Sequence, residues 1–395
     1  MELANAGLMV HLLERETTIG GNAALLSCKA TDACSACSVC VAYERTKDLA
    51  AHPRIEVMTG AEVKSVTGGP GNFRIEIQRP VFVDANRCIS CGLCSGVCPT
   101  APKAIRPAAS WLSSPYVVDQ SSCLSLKGGG CTLCVDNCPT GAIDFNNKLG
   151  RQDRTVDAIV VATGFDVFDP KQKGSLGYGL YPNVLSSLDA EKTLRQKGSL
   201  KCVDGREPEK VAFVQCVGSR SDSTGKAYCS QVCCKYAIRL ARLLKYQNPQ
   251  VKTTIFYIDL QTAGKGFREF YEQSRDAIRF VRGIPVAVSE GPDKKLRVDF
   301  EDFSRAEHAQ EPFDMLVLSV GITPRKDAWT LAKALKMNLS EFGFFNSVDG
   351  VITNVEGVYL AGACQGPRDI PEAIAEGIAA AKKVIEAVPL KERPS

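Results

Sequence analysis

CISCGLCSGVCP at residues 88–99 and CLSLKGGGCTLCVDNCP at residues 123–139 are the two stretches that decide the fold of this chain. Each contains a C-x2-C step and then, after three intervening residues, a Cys-Pro pair. Cysteines two residues apart on a tight turn can reach corners of one iron–sulfur cube, whereas the fourth cysteine of such a run ligates the neighbouring cube. The two stretches therefore predict a ferredoxin-like segment with two [4Fe–4S] clusters.

The interleaving gives each predicted cluster three ligands from one stretch and one from the other. The first cluster is assigned to Cys88, Cys91, Cys94 and Cys138, and the second to Cys98, Cys123, Cys131 and Cys134. The long spacing between Cys123 and Cys131 departs from the usual two residues, and the three glycines at 128–130 indicate a looped insertion there. Four-cysteine zinc ribbons share the C-x2-C step and are the alternative, but they do not need the interleaved Cys-Pro.

Composition limits the other classes of function. The chain has 395 residues, enough for two or three domains, and its net charge of +4 is too small to favour nucleic acid as a partner. It contains no apolar run of about 18 residues and no signal peptide, so no membrane span is expected. The 18 cysteines cluster at ligand spacings, which predicts a reducing, oxygen-poor cytoplasm rather than a disulfide scaffold.

The first residues predict part of an FAD-binding unit. Residues 8–13 are expected to form a buried strand, with Glu14 at its carboxyl end, where a dinucleotide-binding unit places an acid for the ribose. Thr18-Ile19-Gly20-Gly21 then resembles the turn that crosses the FAD pyrophosphate. The strand and glycine loop that should precede this point are absent, which predicts weaker FAD binding. We expect a misplaced start codon or a fragment, with a genuine truncation as the alternative.

A third cysteine group follows at Cys28, Cys34, Cys37 and Cys40. Two C-x2-C steps with one upstream cysteine are sufficient ligands for a further [4Fe–4S] cluster. A redox dithiol at Cys34 and Cys37, a zinc site or a group without function are the alternatives.

A second α/β unit is expected after residue 165, with strands at 211–215, 252–259, 296–301 and 315–320 and a helix at 229–246. Its first strand leads into Cys216-Val217-Gly218-Ser219-Arg220 rather than the glycine loop of a nicotinamide site. We assign a fourth [4Fe–4S] cluster to Cys216, Cys229, Cys233 and Cys234, since adjacent cysteines can take different corners of a cube. The alternatives are cysteines that serve only as small buried hydrophobic side chains, or a dithiol that exchanges with a disulfide. A cluster here predicts that the unit does not bind NAD(P)H.

The chain is predicted to return to the FAD unit twice. Residues 156–164 are expected to form a buried strand ending in Ala162-Thr163-Gly164, and residues 357–364 a second strand. A helix from Ile370 to about residue 388 would direct its N–H groups at the flavin. The expected cofactor contacts are Glu14, Arg15, Gly20, Gly21, Val63, Ala162, Thr163, Gly164, Gly362, Ala363, Ile370, Pro371 and Ala373.

These elements predict an α/β flavoprotein with two dinucleotide-binding domains, of the thioredoxin and glutathione reductase type, that carries an inserted bacterial-type 2[4Fe–4S] ferredoxin. The expected ranges are 1–79 for the first part of the FAD domain, 80–150 for the ferredoxin, 151–165 for the return strand, 166–345 for the second dinucleotide-binding domain and 346–395 for the end of the FAD domain.

Three stretches give a specific resemblance: residues 216–220, 228–234 and 360–372. They resemble the A subunit of heterodisulfide reductase, and the likeness extends over nearly the whole chain. The resemblance implies a cytoplasmic oxidoreductase component with FAD and iron–sulfur clusters, in a hetero-oligomer with B- and C-type subunits. A hydrogenase, formate dehydrogenase or adaptor would supply electrons, which FAD would divide between ferredoxin and a disulfide or similar acceptor.

Two other functions compete with this interpretation. One is an NAD(P)H-dependent oxidoreductase of the glutamate synthase small-subunit type, which needs a glycine loop near residues 216–221. The other is an iron–sulfur electron carrier without flavin, suggested by the missing first glycine loop.

Overall fold

The computed structural model describes residues 1–16, 18–79, 82–84, 87–107, 116–120, 122–146, 150–261 and 266–388. These residues form two α/β units and a small cysteine-rich unit inserted into the first. Within the described ranges, no helix combines the length and the apolar character needed to cross a bilayer.

The first unit contains two pairs of parallel strands and one antiparallel sheet. The parallel pairs are β1 (Val10–Glu14) with β2 (Ile55–Thr59), and β8 (Ile159–Val161) with β18 (Val358–Leu360). The antiparallel sheet consists of β3 (Glu62–Thr67), β4 (Phe73–Arg79) and β7 (Gly150–Val156). The helices of this unit are α1 (Glu2–Asn5), α2 (Val39–Ala51), α8 (Ala328–Leu335) and α9 (Ile370–Ala387).

Two strand predictions for this unit are wrong in their extent. The strand expected at residues 8–13 begins at Val10 and is half-buried rather than buried, because β2 is its one strand neighbour among the described residues. The strand expected at 156–164 is confined to β8. Val156 ends β7, and the chain turns at Asp157, whose carbonyl accepts a 2.9 Å hydrogen bond from the N–H of Gly71.

The cysteine-rich insert joins two strands that pair directly with each other. In the β4–β7 ladder Phe73 lies opposite Val156 and Arg79 lies opposite Gly150, so the insert leaves and returns at the tip of a β-hairpin. Residue 80, the expected start of the insert, lies outside the described residues. The insert contains β5 (Ile105–Pro107), β6 (Tyr116–Val118), α3 (Leu93–Val97) and α4 (Leu133–Asp136).

The second unit is a seven-stranded mixed sheet. From one edge to the other its strands are β10 (Val184–Ser186), β16 (Met315–Val320), β11 (Lys210–Val217), β12 (Lys252–Tyr257), β13 (Arg279–Glu290), β14 (Leu296–Asp302) and β15 (Glu307–Phe313). Its helices are α5 (Ser187–Lys197), α6 (Cys233–Gln247) and α7 (Phe267–Glu272). The first four pairings along the sheet are parallel and the last two antiparallel. The sequence predictions missed the edge strand β10, and also β13 and β15, which pair on either side of β14.

Helix α6 covers one face of this sheet. Its buried Ala237, Ile238, Ala241 and Leu244 recur at the spacing that places side chains on one face of a helix. They pack against inward-facing residues of β11 and β16, such as Phe213 and Val317. The helix begins at Cys233 rather than at residue 229 as predicted, so Cys229 lies in the preceding loop.

A short antiparallel pair marks where the chain enters and leaves the second unit. It joins β9 (Asp166–Val167) to β17 (Ile322–Thr323). After that pair α8 packs with Phe73, Val161 and Leu360 of the first unit. The second unit therefore ends near β17, whereas the sequence prediction extended it to residue 345.

A buried carboxylate fixes the start of the central strands. Asp314 is fully buried before β16, and it accepts hydrogen bonds from the N–H groups of Glu209 (3.0 Å) and Lys210 (2.8 Å) and from the Arg206 guanidinium (3.1 Å). Burial opposes its charge, but these partners hold the pKa of Asp314 below its ordinary value of 3.8.

We expect Asp314→Asn to lower the free energy of unfolding by about 2 kcal/mol, since the neutral amide accepts more weakly than the carboxylate from the N–H groups of Glu209 and Lys210. Because the folded pKa is lowered, the stabilisation by Asp314 is present above pH ~4 and is lost as the pH falls through the folded pKa. Urea unfolding at pH 7 and at lower pH measures both effects. Asp293→Asn, which removes a surface pair with Arg297, serves as the control and should change stability by less than about 1 kcal/mol. Equal losses in the two variants would contradict the proposed role.

Candidate functional sites

The inserted unit contains two cavities, each lined by four cysteines. The lining of one cavity includes Cys88, Cys91, Cys94 and Cys138. The lining of the other includes Cys98, Cys123, Cys131 and Cys134. The structure therefore brings together the same two interleaved sets that the spacing predicts.

The Cys-Pro pair is what sends one cysteine of each run to the other cavity. Cys98 directly follows α3 and has an extended backbone (ψ 123°), the conformation favoured for a residue before proline. The hydroxyl of Thr100 lies 3.3 Å from the Cys98 sulfur, and the N–H of Ala142 donates to the Cys138 sulfur at 3.3 Å. These contacts fix the two exchanged sulfurs.

Glycines accommodate the longer spacing before Cys131. Gly128 and Gly130 have left-handed backbones (φ 87° and 61°), and they close a loop that leaves Cys123 on the cavity wall. The departure from the usual spacing thus does not remove Cys123 from its set.

The thiols in these cavities differ in how readily they ionise. Burial, with the neighbouring Cys123, raises the pKa of Cys134 to about 11. Burial also acts on Cys98, but the hydroxyl of Thr100 and nearby backbone N–H groups hold its pKa at about 7. Four thiolates around one cavity repel each other, so the donor set fits a cationic iron core. Within the described residues no three His, Cys, Asp or Glu side chains are grouped so as to hold one metal ion.

We predict that paired variants will separate the interleaved arrangement from two zinc ribbons. Cys88→Ala and Cys138→Ala should remove the same cluster, so the double variant should lose about four iron atoms, as each single variant does. Cys88→Ala combined with Cys98→Ala should lose about eight. Iron and acid-labile sulfide per chain, measured after purification without oxygen, test this. If each stretch instead formed its own zinc ribbon, the Cys88→Ala and Cys138→Ala pair would lose two metal ions. The Cys88→Ala and Cys98→Ala pair would lose one, and the metal would be zinc.

The second unit gathers its four predicted cysteines at the carboxyl ends of β11 and β12. Burial, with the nearby Cys234, raises the pKa of Cys216 to about 12. Cys233 is buried, and burial together with Cys216, Cys234 and Cys229 raises its pKa well above the ordinary value. Cys229 and Cys234 are therefore close enough to Cys216 and Cys233 to oppose the ionisation of those two thiols, as ligands of one cluster would.

Unusual backbone conformations position these cysteines. Cys216 has a left-handed backbone (φ 59°) at an irregularity of β11, where the pairing with β16 shifts between Val214 and Val217. Arg220 (φ 52°) and Gln231 (φ 59°) are also left-handed. For residues with side chains this conformation costs about 1–2 kcal/mol each, and such strain concentrates at functional sites.

An ion pair occupies the position where a nicotinamide site would bind its nucleotide. Arg220 forms an ion pair with Asp259, which follows β12. In a nucleotide-binding unit an acid after the second strand accepts the ribose hydroxyls. Here the carboxylate of Asp259 is already paired with Arg220, which belongs to the loop that would have to bind the pyrophosphate.

We expect Gly218→Ala to disrupt the loop between Cys216 and Cys229. Gly218 is left-handed (φ 79°), and a methyl group there would overlap the buried ring of Phe168. The control is Gly225→Ala. Gly225 has a similar φ of 64°, but a methyl group added there would meet open space. Thermal unfolding and iron content measure the effect. Gly218→Ala should lose about one cluster of iron and Gly225→Ala none, and equal iron contents would refute this account of the loop.

The group at residues 28–40 lies against the second unit. Cys34 and Cys37 are beside Arg239 of α6, whose guanidinium donates to the carbonyls of Ser35 (3.0 Å) and Ala36 (3.3 Å). Burial opposes ionisation of Cys37, but the N–H of Val39 and the cations nearby lower its pKa. Cys28 and Cys40 are exposed at the two ends of the loop.

A buried ion pair holds the beginning of this loop. Lys29 pairs with the fully buried Glu191 of α5, and both the N–H and the hydroxyl of Ser27 donate to that carboxylate (2.8 and 2.7 Å). The residues on either side of Cys28 are thus fixed, although Cys28 itself is exposed.

Two of the predicted flavin-contacting segments lie side by side. Gly20 (φ 103°) and Gly21 (φ 50°) form a turn, and Asn22 donates a 3.0 Å hydrogen bond to the carbonyl of Phe165. This bond joins the turn to the loop that contains Ala162, Thr163 and Gly164. Glu14 ends β1, where burial raises its pKa.

Two predicted contacts have other partners. Arg15 forms an ion pair with Asp327. Val63 packs with Met58 and Ala61 in a small core.

A capping box formed by Asp369 and Glu372 stabilises the first turn of α9. Asp369 accepts the N–H of Glu372 (3.0 Å), and Glu372 accepts the N–H of Asp369 (2.8 Å). Ile370 and Pro371 are the first residues of α9, and Gly362 (φ 74°), next to the buried Ala363, lies close against Ala373. Cys364 is buried and donates to the carbonyl of Val161 at 3.2 Å.

The sequence predictions missed the charged residues that join the sites. Lys235, directly after Cys234 on α6, lies 2.8 Å from Asp369 at the cap of α9. A lysine in the first turn of α6, whose buried residues are otherwise apolar or cysteine, could have pointed to this pair. Recognising it requires knowing which face of α6 is buried, and the sequence alone does not give that.

The fold is shared with flavoprotein reductases. Thioredoxin reductase from T. acidophilum aligns with 97% of this chain and 91% of its own, with a TM-score of 0.50 and 15% identity. LpdA from Mycobacterium tuberculosis aligns with 99% of this chain and 70% of its own, with a TM-score of 0.51 and 13% identity. The predicted thioredoxin reductase type of fold is confirmed.

Residues 79–100 match the family model for a 4Fe-4S binding domain, which agrees with the predicted cluster type. The iron–sulfur A subunit of CoB–CoM heterodisulfide reductase from Methanocaldococcus jannaschii is 36% identical over 97% of this chain and 61% of its own length. The A subunit of the H2:CoB–CoM heterodisulfide,ferredoxin reductase from Methanothermobacter marburgensis is 35% identical over 99% of this chain and 62% of its own.

Over nearly its whole length the chain is similar to heterodisulfide reductase A subunits. It spans about three fifths of the length of these curated relatives.

Proposed function

We propose that this chain is the flavin- and cluster-binding electron-transfer part of a heterodisulfide reductase-like oxidoreductase complex of the cytoplasm. The observation that carries this proposal is the placement of the cysteines. Two four-cysteine cavities lie in an insert of the flavoprotein unit, and a third group of four occupies the loop where a nicotinamide site would lie.

The cofactors would supply the redox chemistry: a flavin exchanges one or two electrons, whereas each cluster passes one. The chain's own residues would hold these groups at fixed separations. Lys235 and Asp369 connect the helix that carries Cys233 and Cys234 to the helix expected to face the flavin. Arg239 connects the same cysteine helix to the loop of Cys34 and Cys37. Helix α6 thus contacts two candidate cluster sites and the start of α9, the helix expected to face the flavin.

The inserted unit offers a place for one-electron partners to dock. Ile89 and Leu93 beside the first cavity, and Leu124 and Leu133 beside the second, are large apolar side chains left exposed. We propose ferredoxin as the partner here, with B- and C-type subunits and a hydrogenase or formate dehydrogenase adaptor elsewhere. The names of the relatives support this, since they include hydrogen or formate, ferredoxin and the CoB–CoM heterodisulfide. Division of an electron pair between ferredoxin and a disulfide is part of the proposal.

The NAD(P)H-dependent alternative is disfavoured by the ion pair of Arg220 with Asp259, which occupies the nucleotide position. Reduction of bound flavin by NADH alone would support that alternative. Iron content with no retained flavin would support the flavin-free carrier.

We predict that Cys233→Ala will remove about four iron atoms per chain and slow the reduction of bound flavin by reduced ferredoxin, because the cluster has lost a ligand. Cys202→Ala is a matched control, since Cys202 is equally buried in the same unit but belongs to none of the four groups. Iron, sulfide and flavin per chain, followed by stopped-flow reduction, provide the measurement. Unchanged iron in Cys233→Ala would contradict the fourth site.

A further inference from the structure

Buried polar side chains without partners surround the irregularity at Cys216. The side-chain amide of Gln215 has neither its nitrogen nor its oxygen hydrogen-bonded, and the hydroxyls of Ser219 and Ser319 are also unpaired. All three residues are buried, with exposed fractions of 7%, 2% and 1%. Leaving such a group unpaired costs about 1–3 kcal/mol, so together these groups indicate a partner that is not part of the chain.

The three side chains lie in one place. In the β11–β16 ladder Val214 pairs with Leu318 and Val217 with Val320. Two residues of β11, Gln215 and Cys216, therefore lie opposite the single residue Ser319 of β16. Ser219 lies beside Gly321, the residue after β16. An irregularity of this kind redirects a side chain, and here the redirected residue is Cys216.

Strand alternation places these groups in the layer under α6. Met315 and Val317 of β16 pack against α6, and Ser319 continues that alternation. Val211 and Phe213 of β11 lie on the same face, and Gln215 follows them. Cys234 belongs to the same buried layer. The unpaired groups are therefore at the carboxyl edge of the sheet, next to the start of α6, where Cys233 and Cys234 are found.

We propose that Gln215, Ser219 and Ser319 donate hydrogen bonds to the sulfur atoms of the cluster held by Cys216, Cys229, Cys233 and Cys234, and that they raise its reduction potential. This inference rests on the proposed fourth cluster. Hydrogen bonds to sulfur stabilise the more negative, reduced state of a cluster. The three are positioning residues, since none is itself a ligand.

The test uses the full chain, purified without oxygen, and follows the cluster whose EPR signal disappears in Cys233→Ala. We expect Gln215→Leu and Ser319→Ala to keep their iron but to lower the midpoint potential of that cluster, and the double variant to lower it further. A tenfold change in the reduced-to-oxidised ratio at a fixed ambient potential corresponds to a shift of about 59 mV for one electron.

Thr253→Val is the matched control. Thr253 is another buried residue of this sheet with an unpaired hydroxyl. It lies opposite Val211, four residues before Gln215 and so about 13 Å away along the strands. Removing its hydroxyl should leave the potential unchanged.

The outcomes separate the two levels of the proposal. If the chain has no signal that depends on Cys233, the fourth cluster itself is refuted. If the signal is present but its potential in Gln215→Leu and Ser319→Ala equals that of the unchanged chain, the cluster stands and the hydrogen bonds are refuted. An equal shift in Thr253→Val would show a general effect of the sheet and would also overturn the inference.

Discussion

The burial of grouped cysteine thiols is the constraint on which the candidate sites depend. Burial and neighbouring cysteines raise the pKa of Cys216 to about 12 and that of Cys134 to about 11, and they also raise the pKa of Cys233. At neutral pH such thiols stay protonated unless a cation compensates their charge. Iron would provide that charge, since cysteines are its ligands in [4Fe–4S] clusters. The fold thus concentrates thiols at positions where a metal cluster would make their ionisation favourable.

Strained backbone conformations accompany the grouping of these thiols. Among the described residues, the left-handed positions other than glycine that fall within the cysteine groups are Ala36, Ser38, Ser90, Cys216, Arg220 and Gln231. The remaining ones, Lys294, Ala306 and Lys336, lie at turns or at a helix end. Strain of this kind persists only where surrounding contacts maintain it. The ion pairs of Lys29 with Glu191 and of Arg220 with Asp259 are such contacts.

The cysteine sets were predictable because their geometry is local. A C-x2-C step and a following Cys-Pro determine within a dozen residues where each sulfur points, so the sequence alone could predict that Cys98 and Cys138 exchange cavities. The packing of α8 against Phe73 and Leu360 was not predictable, because nothing near residue 328 encodes a contact with strands so distant in sequence. The same holds for Lys235 with Asp369, and for the unpaired Gln215, whose role depends on Ser319 in a neighbouring strand.

Iron and acid-labile sulfide per chain, determined together with zinc on protein purified without oxygen, test the central claim most directly. If all four cysteine groups hold clusters, the chain should contain about sixteen iron and sixteen sulfide, with no stoichiometric zinc. About eight iron would restrict the clusters to the inserted unit. Stoichiometric zinc with little iron would contradict the account, because the interleaved cysteines would then be ligands of structural zinc rather than the ends of an electron path.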